Sequence, residues 1–239
     1  SNRTWLEYAW TADPVNGDAV EQLAKRLKDN EINRVYLEAA AWRRDGLLQE
    51  GANAQAFVEA LRRAYSGVEV LLWLRMSADE IADPVRRDSA LALAQKAVQT
   101  WGLDGVQLNS RSIPDGSQTY IDMVRGLSTA IGTDTLLSLM VPPDRIPSDP
   151  DVPIGTTIAP ELTWDVSFKE QVGLLDADEI VVMAHASGLT DGEAYRTWVA
   201  YQVVSYASVM SGLERAPAIV IALPTYDTEP EHDPAVETV

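Results

Sequence analysis

Three polar side chains spaced two apart, Gln107, Asn109 and Arg111, close an otherwise apolar run that reads Asp104-Gly-Val-Gln-Leu-Asn-Ser-Arg-Ser-Ile-Pro114. Alternation along a strand sends successive side chains to opposite faces, so these three share one face. An amide pair beside a guanidinium can hydrogen-bond a ligand and hold an anion. It cannot supply a general acid, because a guanidinium stays protonated at any useful pH. Groups that could act as bases lie elsewhere: Glu7 in Trp5-Leu-Glu-Tyr-Ala-Trp10, Glu38 in Val35-Tyr-Leu-Glu-Ala39, and His185 at the end of an apolar run. A neutral imidazole can serve as base or nucleophile near neutral pH. A glutamate turned into a protein interior has its pKa raised unless a cation compensates, and Arg111 is the expected cation for Glu7 or Glu38. Ser110 and Ser112 alternate away from the Arg111 face, which argues against a Ser/His pair. His232, among Glu229, Glu231 and Asp233, reads as part of a surface turn. No metal site and no cofactor are expected.

The elements that must position these residues follow from periodicity. Apolar strands are expected near 4–10, 34–40, 68–75, 105–109, 135–141, 179–185 and 218–223. Their starts recur at roughly 30 to 40 residues, about one βαβ repeat. Amphipathic helices fall between them. Asp18 is the expected cap of the first, Phe57, Leu61 and Tyr65 mark the second, and Asp83-Pro84 opens the third. Ser117 is the expected cap of the next, and Tyr195, Trp198, Gln202, Tyr206 and Val209 stripe the last. The pattern predicts an α/β fold of the (β/α)8 TIM-barrel type, one domain over residues 1–239. The count stops at seven strands. After Leu223 comes a polar, proline-containing loop, so the last helix and the eighth strand are expected to be missing or truncated.

Composition sets the outer bounds. The 239 residues carry 46% hydrophobic and 23% charged side chains, ordinary for a globular chain. A net charge of −17 argues against nucleic acid or an anionic membrane as partner. No apolar run approaches the roughly 20 residues of a spanning helix. Cysteine is absent, which removes disulfides and thiolate chemistry. Six of the 13 prolines fall between Pro142 and Pro160, a long loop after the fifth strand on the side where barrel active sites lie.

The run from Asp104 resembles the signature of family 18 glycoside hydrolases, the chitinases and their relatives, which reads Asp-Gly-x-Asp-x-Asp-x-Glu. Asp104, Gly105, Val106 and Leu108 fit, and Asn109 is tolerated. Gln107 departs, and Arg111 stands where the family's proton-donating glutamate belongs. The family's Met-x-Tyr-Asp landmark has its counterpart in Met183-Ala-His185-Ala186, with His185 for the tyrosine and Ala186 for the aspartate. Ser187-Gly188-Leu189, Trp198-Val-Ala-Tyr201 and Leu223-Pro-Thr-Tyr-Asp227 are similar to bacterial relatives. The resemblance implies a barrel without the family's hydrolysis, which needs a neutral carboxylic acid and a second carboxylate to orient the substrate's acetamide. It also implies an oligosaccharide or other small molecule as ligand, held by Asn109, Arg111, Gln107, Met183, His185, Trp10, Trp73 and Tyr226.

Trp10, Trp42, Trp73 and Trp164 are expected at or beyond strand ends, where their rings could stack on sugars or fill barrel layers. Trp101 and Trp198 are expected to lie on helices and pack against the barrel's outside. Two other readings stay open: an enzyme with a rebuilt pocket using His185, Glu7 or Glu38 as base and Arg111 as anion stabiliser, and a structural barrel domain of a larger secreted protein.

Overall fold

The computed structural model describes residues 2–43, 45–144, 147, 149–155, 162–225 and 233–237. The chain divides into two compact units, Ser1–Asn109 with Asp122–Leu137, and Ser110–Ile121 with Ser138–Val239. In chain order the elements are β1 (Asn2–Leu6), α1 (Ala9–Ala12), α2 (Gly17–Asp29), β2 (Ile32–Leu37), β3 (Ala40–Trp42), β4 (Leu48–Glu50), α3 (Ala54–Ala64), β5 (Glu69–Ser77), α4 (Ala78–Ala82) and α5 (Pro84–Gln99). They continue with β6 (Gly105–Arg111), α6 (Gln118–Ile131), β7 (Leu136–Val141), α7 (Val166–Gly173), β8 (Glu179–Met183), α8 (Gly192–Met210) and β9 (Ala218–Ala222). Seven strands form one sheet in the order β1-β2-β5-β6-β7-β8-β9, and β3 pairs with β4 in a separate antiparallel hairpin. This is the expected α/β architecture.

In the first unit β1 pairs with β2 and β2 with β5, all parallel, with Trp5 opposite Tyr36 and Tyr36 opposite Leu71. The start of β6 is locked on both sides. The Asp104 backbone N–H donates to Val70 O at 2.8 Å, and the Leu136 N–H donates to Asp104 O at 2.9 Å. The Asp104 carboxylate also accepts from the Val70 N–H and from Arg62, each at 2.7 Å. Gly105 is required here, because a Cβ would lie 2.0 Å from Leu136 O. The Asp-Gly pair therefore fixes where β6 enters the sheet.

One side-chain contact shows how this part of the sheet bends. Trp5 on β1 and Gln107 on β6 are three strand positions apart, about 14 Å in a flat sheet. The Trp5 indole N–H nevertheless donates to Gln107 Oε1 at 2.8 Å. The sheet must curl, with the Trp5, Tyr36 and Gln107 face concave, as barrel construction demands. Outside, α2 buries Val20, Leu23, Ala24 and Leu27, and α3 buries Phe57, Val58 and Leu61. The cap of α2 is Asn16, whose side chain accepts from the Ala19 N–H. Asp18 sits instead in the first turn, where its charge complements the helix dipole. Asp83 with Pro84 opens α5 as expected. Ser117 Oγ accepts from the Tyr120 N–H at 3.4 Å at the start of α6.

In the second unit β7, β8 and β9 are parallel, with Val181 opposite both Met140 and Val220. Helix α7 was not expected. Asp165 caps it, accepting from the Phe168 N–H at 2.7 Å and from Ser167 Oγ at 2.9 Å. These bonds, the backbone one first, hold the Asp165 carboxyl below the usual carboxylate range. The cap delivers Phe168 and Lys169 into the interior, where both are buried. Lys169 Nζ lies 2.5 Å from Asp144 Oδ1 and 4.5 Å from the centroid of the Tyr206 ring. Ser205 Oγ donates to the other Asp144 oxygen. The Asp144 backbone is held by Gln202 through both its N–H and C=O, and by the Trp198 indole N–H. The start of the proline-rich loop is thus bolted to α7 and α8.

Further details depart from or refine the expected pattern. The first strand ends at Leu6, and the residues to Trp10 turn into α1, where Thr11 Oγ1 donates to Tyr8 O and Glu38 O. The β3–β4 hairpin follows β2 directly. Of the two alternatives left open for Trp164, packing holds: it is 3% exposed, donates to Ile113 O at 3.0 Å and packs against Phe168, with ring centroids 4.8 Å apart.

Candidate functional site

The concave face of the first unit carries an aromatic and charged rim. Tilted Trp5 and Tyr36 rings, 5.0 Å apart, floor it. Trp73 lies two residues beyond Leu71, hence on the same face, and the Arg75 guanidinium sits 5.1 Å from its ring centroid. Arg75 also pairs with Glu38 at 3.2 Å. This corrects the expected Glu38–Arg111 pairing. Glu38 follows Leu37, the last residue of β2 paired with β5, so its cation comes from the adjacent strand. Glu7 follows the end of β1 and is exposed. It has no burial for a cation to offset.

Along β6, Gln107 and Asn109 are buried and Arg111 is exposed at the strand's last position. Gln107 is committed to Trp5. Asn109 Oδ1 and Trp73 Nε1 are buried without a hydrogen-bond partner among the described residues. An acceptor and a donor left unmatched each cost about 1–3 kcal/mol, so the Asn109 and Trp73 environment is not built for stability alone. Trp10 belongs to α1, stacks 5.5 Å from Phe57 and borders a cavity of about 220 Å³ with Pro14, Asn16 and Val20.

The second unit holds the end of β8. Met183 is its last residue, opposite Ala222, and His185 follows two positions on, half-buried. Sequence reasoning missed the residue that organises this turn, Glu237. Its carboxylate is buried and accepts from the Ala186 N–H at 2.9 Å and from the Ser187 N–H and Oγ, each at 2.6 Å. Ala186 has φ +53°, rare for a residue with a Cβ. A left-handed residue turns successive N–H groups toward one point and makes an anion nest, which Glu237 fills. Next door, burial first and the Glu237 charge second push the Tyr195 hydroxyl above its ordinary pKa. That hydroxyl donates to Ala184 O. Only fold proximity could reveal Glu237, since some 50 residues separate it from its partners.

Removing this carboxylate strands three donors. Glu237→Ala is expected to destabilise the protein by about 3 kcal/mol, the scale of unmatched buried polar groups. Amide exchange at Ala186 and Ser187 should quicken while the β1–β2 amides keep their protection. Unchanged exchange at both residues would refute the nest.

Tyr226 and His232 lie outside the described residues. Among the described residues there is no group of three metal-ligating side chains, and no helix is long and apolar enough to cross a membrane.

No protein-family model matches the sequence, and no curated protein matches it. Solved structures do match. The chitinase domain of the spore coat protein CotE from Clostridium difficile superposes with a TM-score of 0.59 at 13% identity, over 94% of this chain and 65% of that one. The Bacillus cereus spore cortex-lytic enzyme SleL gives 0.60 at 13%, over 92% and 49%. A family 18 chitinase from Cycas revoluta, solved in complex with (GlcNAc)3, gives 0.61 at 15%, over 94% and 68%. The chain therefore has the α/β fold of family 18 chitinase-type domains, with seven strands of the (β/α)8 pattern. It spans about two thirds of the CotE chitinase domain's chain and half of the cortex-lytic enzyme's.

Proposed function

We propose that the chain binds N-acetylated oligosaccharide on its concave face without hydrolysing it. One observation carries this reading. The β6 positions that share a face, from the middle of the strand to its end, are Gln107, Asn109 and Arg111, with no carboxylate among them. Substrate-assisted glycoside cleavage needs a carboxylic acid to protonate the leaving oxygen and a carboxylate to steer the acetamide. Gln107 is tied to Trp5, Asn109 takes up no proton, and Arg111 gives none up. Glu38 is paired with Arg75 and Glu237 with backbone N–H groups, so neither carboxylate stands free to replace the lost acid.

The same face supports binding. The Trp73 ring and the Glu38–Arg75 pair combine a flat apolar surface with charged hydrogen-bonding groups, the mixture that recognises a sugar's C–H faces and hydroxyls. That the Cycas revoluta enzyme was solved with (GlcNAc)3 makes N-acetylglucosamine oligomers the natural probe. Calorimetric titration with chitotetraose is expected to show saturable heat that Trp73→Ala abolishes. No heat at millimolar sugar would remove the reading.

A further inference from the structure

We propose that the β3–β4 hairpin is a second saccharide contact, with Trp42 as its stacking platform and Arg43, Asp45 and Gln49 as its polar rim. This rests on the oligosaccharide reading above and extends it to a part of the fold outside the concave face. The hairpin borders an open cavity of about 510 Å³ lined by Ala41, Trp42, Arg43, Asp45 and Gln49.

Trp42 is fixed before any ligand arrives. Its indole N–H donates to Arg75 O at 3.1 Å, and the Arg86 guanidinium lies 5.6 Å from its ring centroid. Arg86 is itself held by Glu80 at 2.7 Å, and Glu80 closes the capping box of α4. Two backbone bonds among the described residues join the hairpin's two sides. The Gly46 N–H donates to Arg43 O at 2.9 Å and the Arg43 N–H to Leu47 O at 2.8 Å. Gly46 has φ +81°, and a Cβ there would approach Arg86 Nη2 to 3.0 Å, so the tip packs on the same arginine that braces the tryptophan. A ring held this way gives up little freedom on binding, and preorganisation of that kind converts contact into affinity.

The rim favours a neutral, hydroxyl-rich ligand. Arg43 and Asp45 pair at 2.8 Å and cancel, and Gln49 is exposed. The chain's net charge of −17 already disfavours an anionic ligand. An aromatic face bounded by a guanidinium, a carboxylate and an amide offers the donors and acceptors that sugar hydroxyls require. The hairpin is also continuous with the concave rim, because Arg75, whose carbonyl anchors Trp42, covers Trp73 and pairs with Glu38. A longer oligosaccharide can therefore meet both tryptophans, and a short one only the rim.

Length dependence separates the two ideas. Titration of wild type, Trp42→Ala and Trp42→Phe with chitobiose and chitotetraose is expected to show Trp42→Ala weakening the tetrasaccharide about tenfold, the scale of one aromatic contact, with the disaccharide unchanged. Trp42→Phe keeps a flat ring and should retain most of the affinity. In the wild type, the Trp42 indole N–H resonance should shift with chitotetraose and stay in place with chitobiose, a readout that does not depend on how a variant folds. Equal loss for both lengths, or no shift of that resonance while both sugars bind, overturns the hairpin site and leaves the concave face standing. Failure of the wild type to bind either sugar overturns both.

Discussion

Arg111→Glu alone is expected to leave chitooligosaccharides uncleaved, and Arg111→Glu combined with Asn109→Asp is expected to raise cleavage roughly 10²–10⁴-fold over the wild type, the usual contribution of a positioned general acid. The reasoning starts from exposure. Arg111 ends β6 in contact with solvent, so a lone glutamate there would be hydrated and ionised near neutral pH. An ionised carboxylate cannot deliver a proton. Asn109 is buried two residues earlier on the same face, and a carboxylate there places a like charge beside the new glutamate and raises its pKa. It also gives a substrate acetamide the anionic partner that Asn109 cannot offer. Gln107 should stay as it is in this experiment. Its Oε1 accepts from Trp5 across the curl of the sheet, and a shorter side chain would withdraw from that bond. Release of reducing ends, followed for a day at high protein concentration, reads the result. Cleavage by the single variant at the rate of the double one would show that the missing acid was the whole deficit.

The second large effect concerns stability. Lys169→Met is expected to cost about 3–5 kcal/mol in urea unfolding, because it leaves the buried Asp144 carboxylate without its cation. Ser205 still donates to that carboxylate, but a hydroxyl does not neutralise it. Burial first, then the Asp144 charge, already push the Tyr206 hydroxyl well above its ordinary pKa, so the tyrosine stays neutral beside it. Adding Asp144→Leu to Lys169→Met should recover much of the loss, since an apolar pair avoids both desolvation penalties. The Asp144 backbone contacts to Gln202 and Trp198 survive that change. A double variant no more stable than the single one would mean that the pair contributes through geometry rather than charge.

How much of this could be read from the chain alone depends on the range of the interactions. Periodicity of two and of 3.6 placed every strand of the seven-stranded sheet to within a few residues, because each pattern is local. The Asp83-Pro84 helix start was legible for the same reason. So was the shared face of Gln107, Asn109 and Arg111. Pairings between strands were not. Glu38 finds Arg75 rather than Arg111 because register, set by β2–β5 pairing, decides which cation is near. Asp144 with Lys169, and Glu237 with Ala186 and Ser187, join residues about 25 and 50 apart, and no local pattern marks either. The β3–β4 hairpin has strands of three residues, too short for alternation to stand out, and α7 follows a proline-rich loop that hides its cap. The strands that carry the candidate residues were therefore more visible than the long-range contacts that support them.

The central claim is binding without cleavage, and one NMR titration with chitotetraose tests both halves together. The Trp73 indole N–H resonance should move saturably while the sugar's anomeric signals persist unchanged over a day. New reducing-end signals growing at catalytic amounts of protein, or a Trp73 resonance that stays still at millimolar sugar, would contradict it.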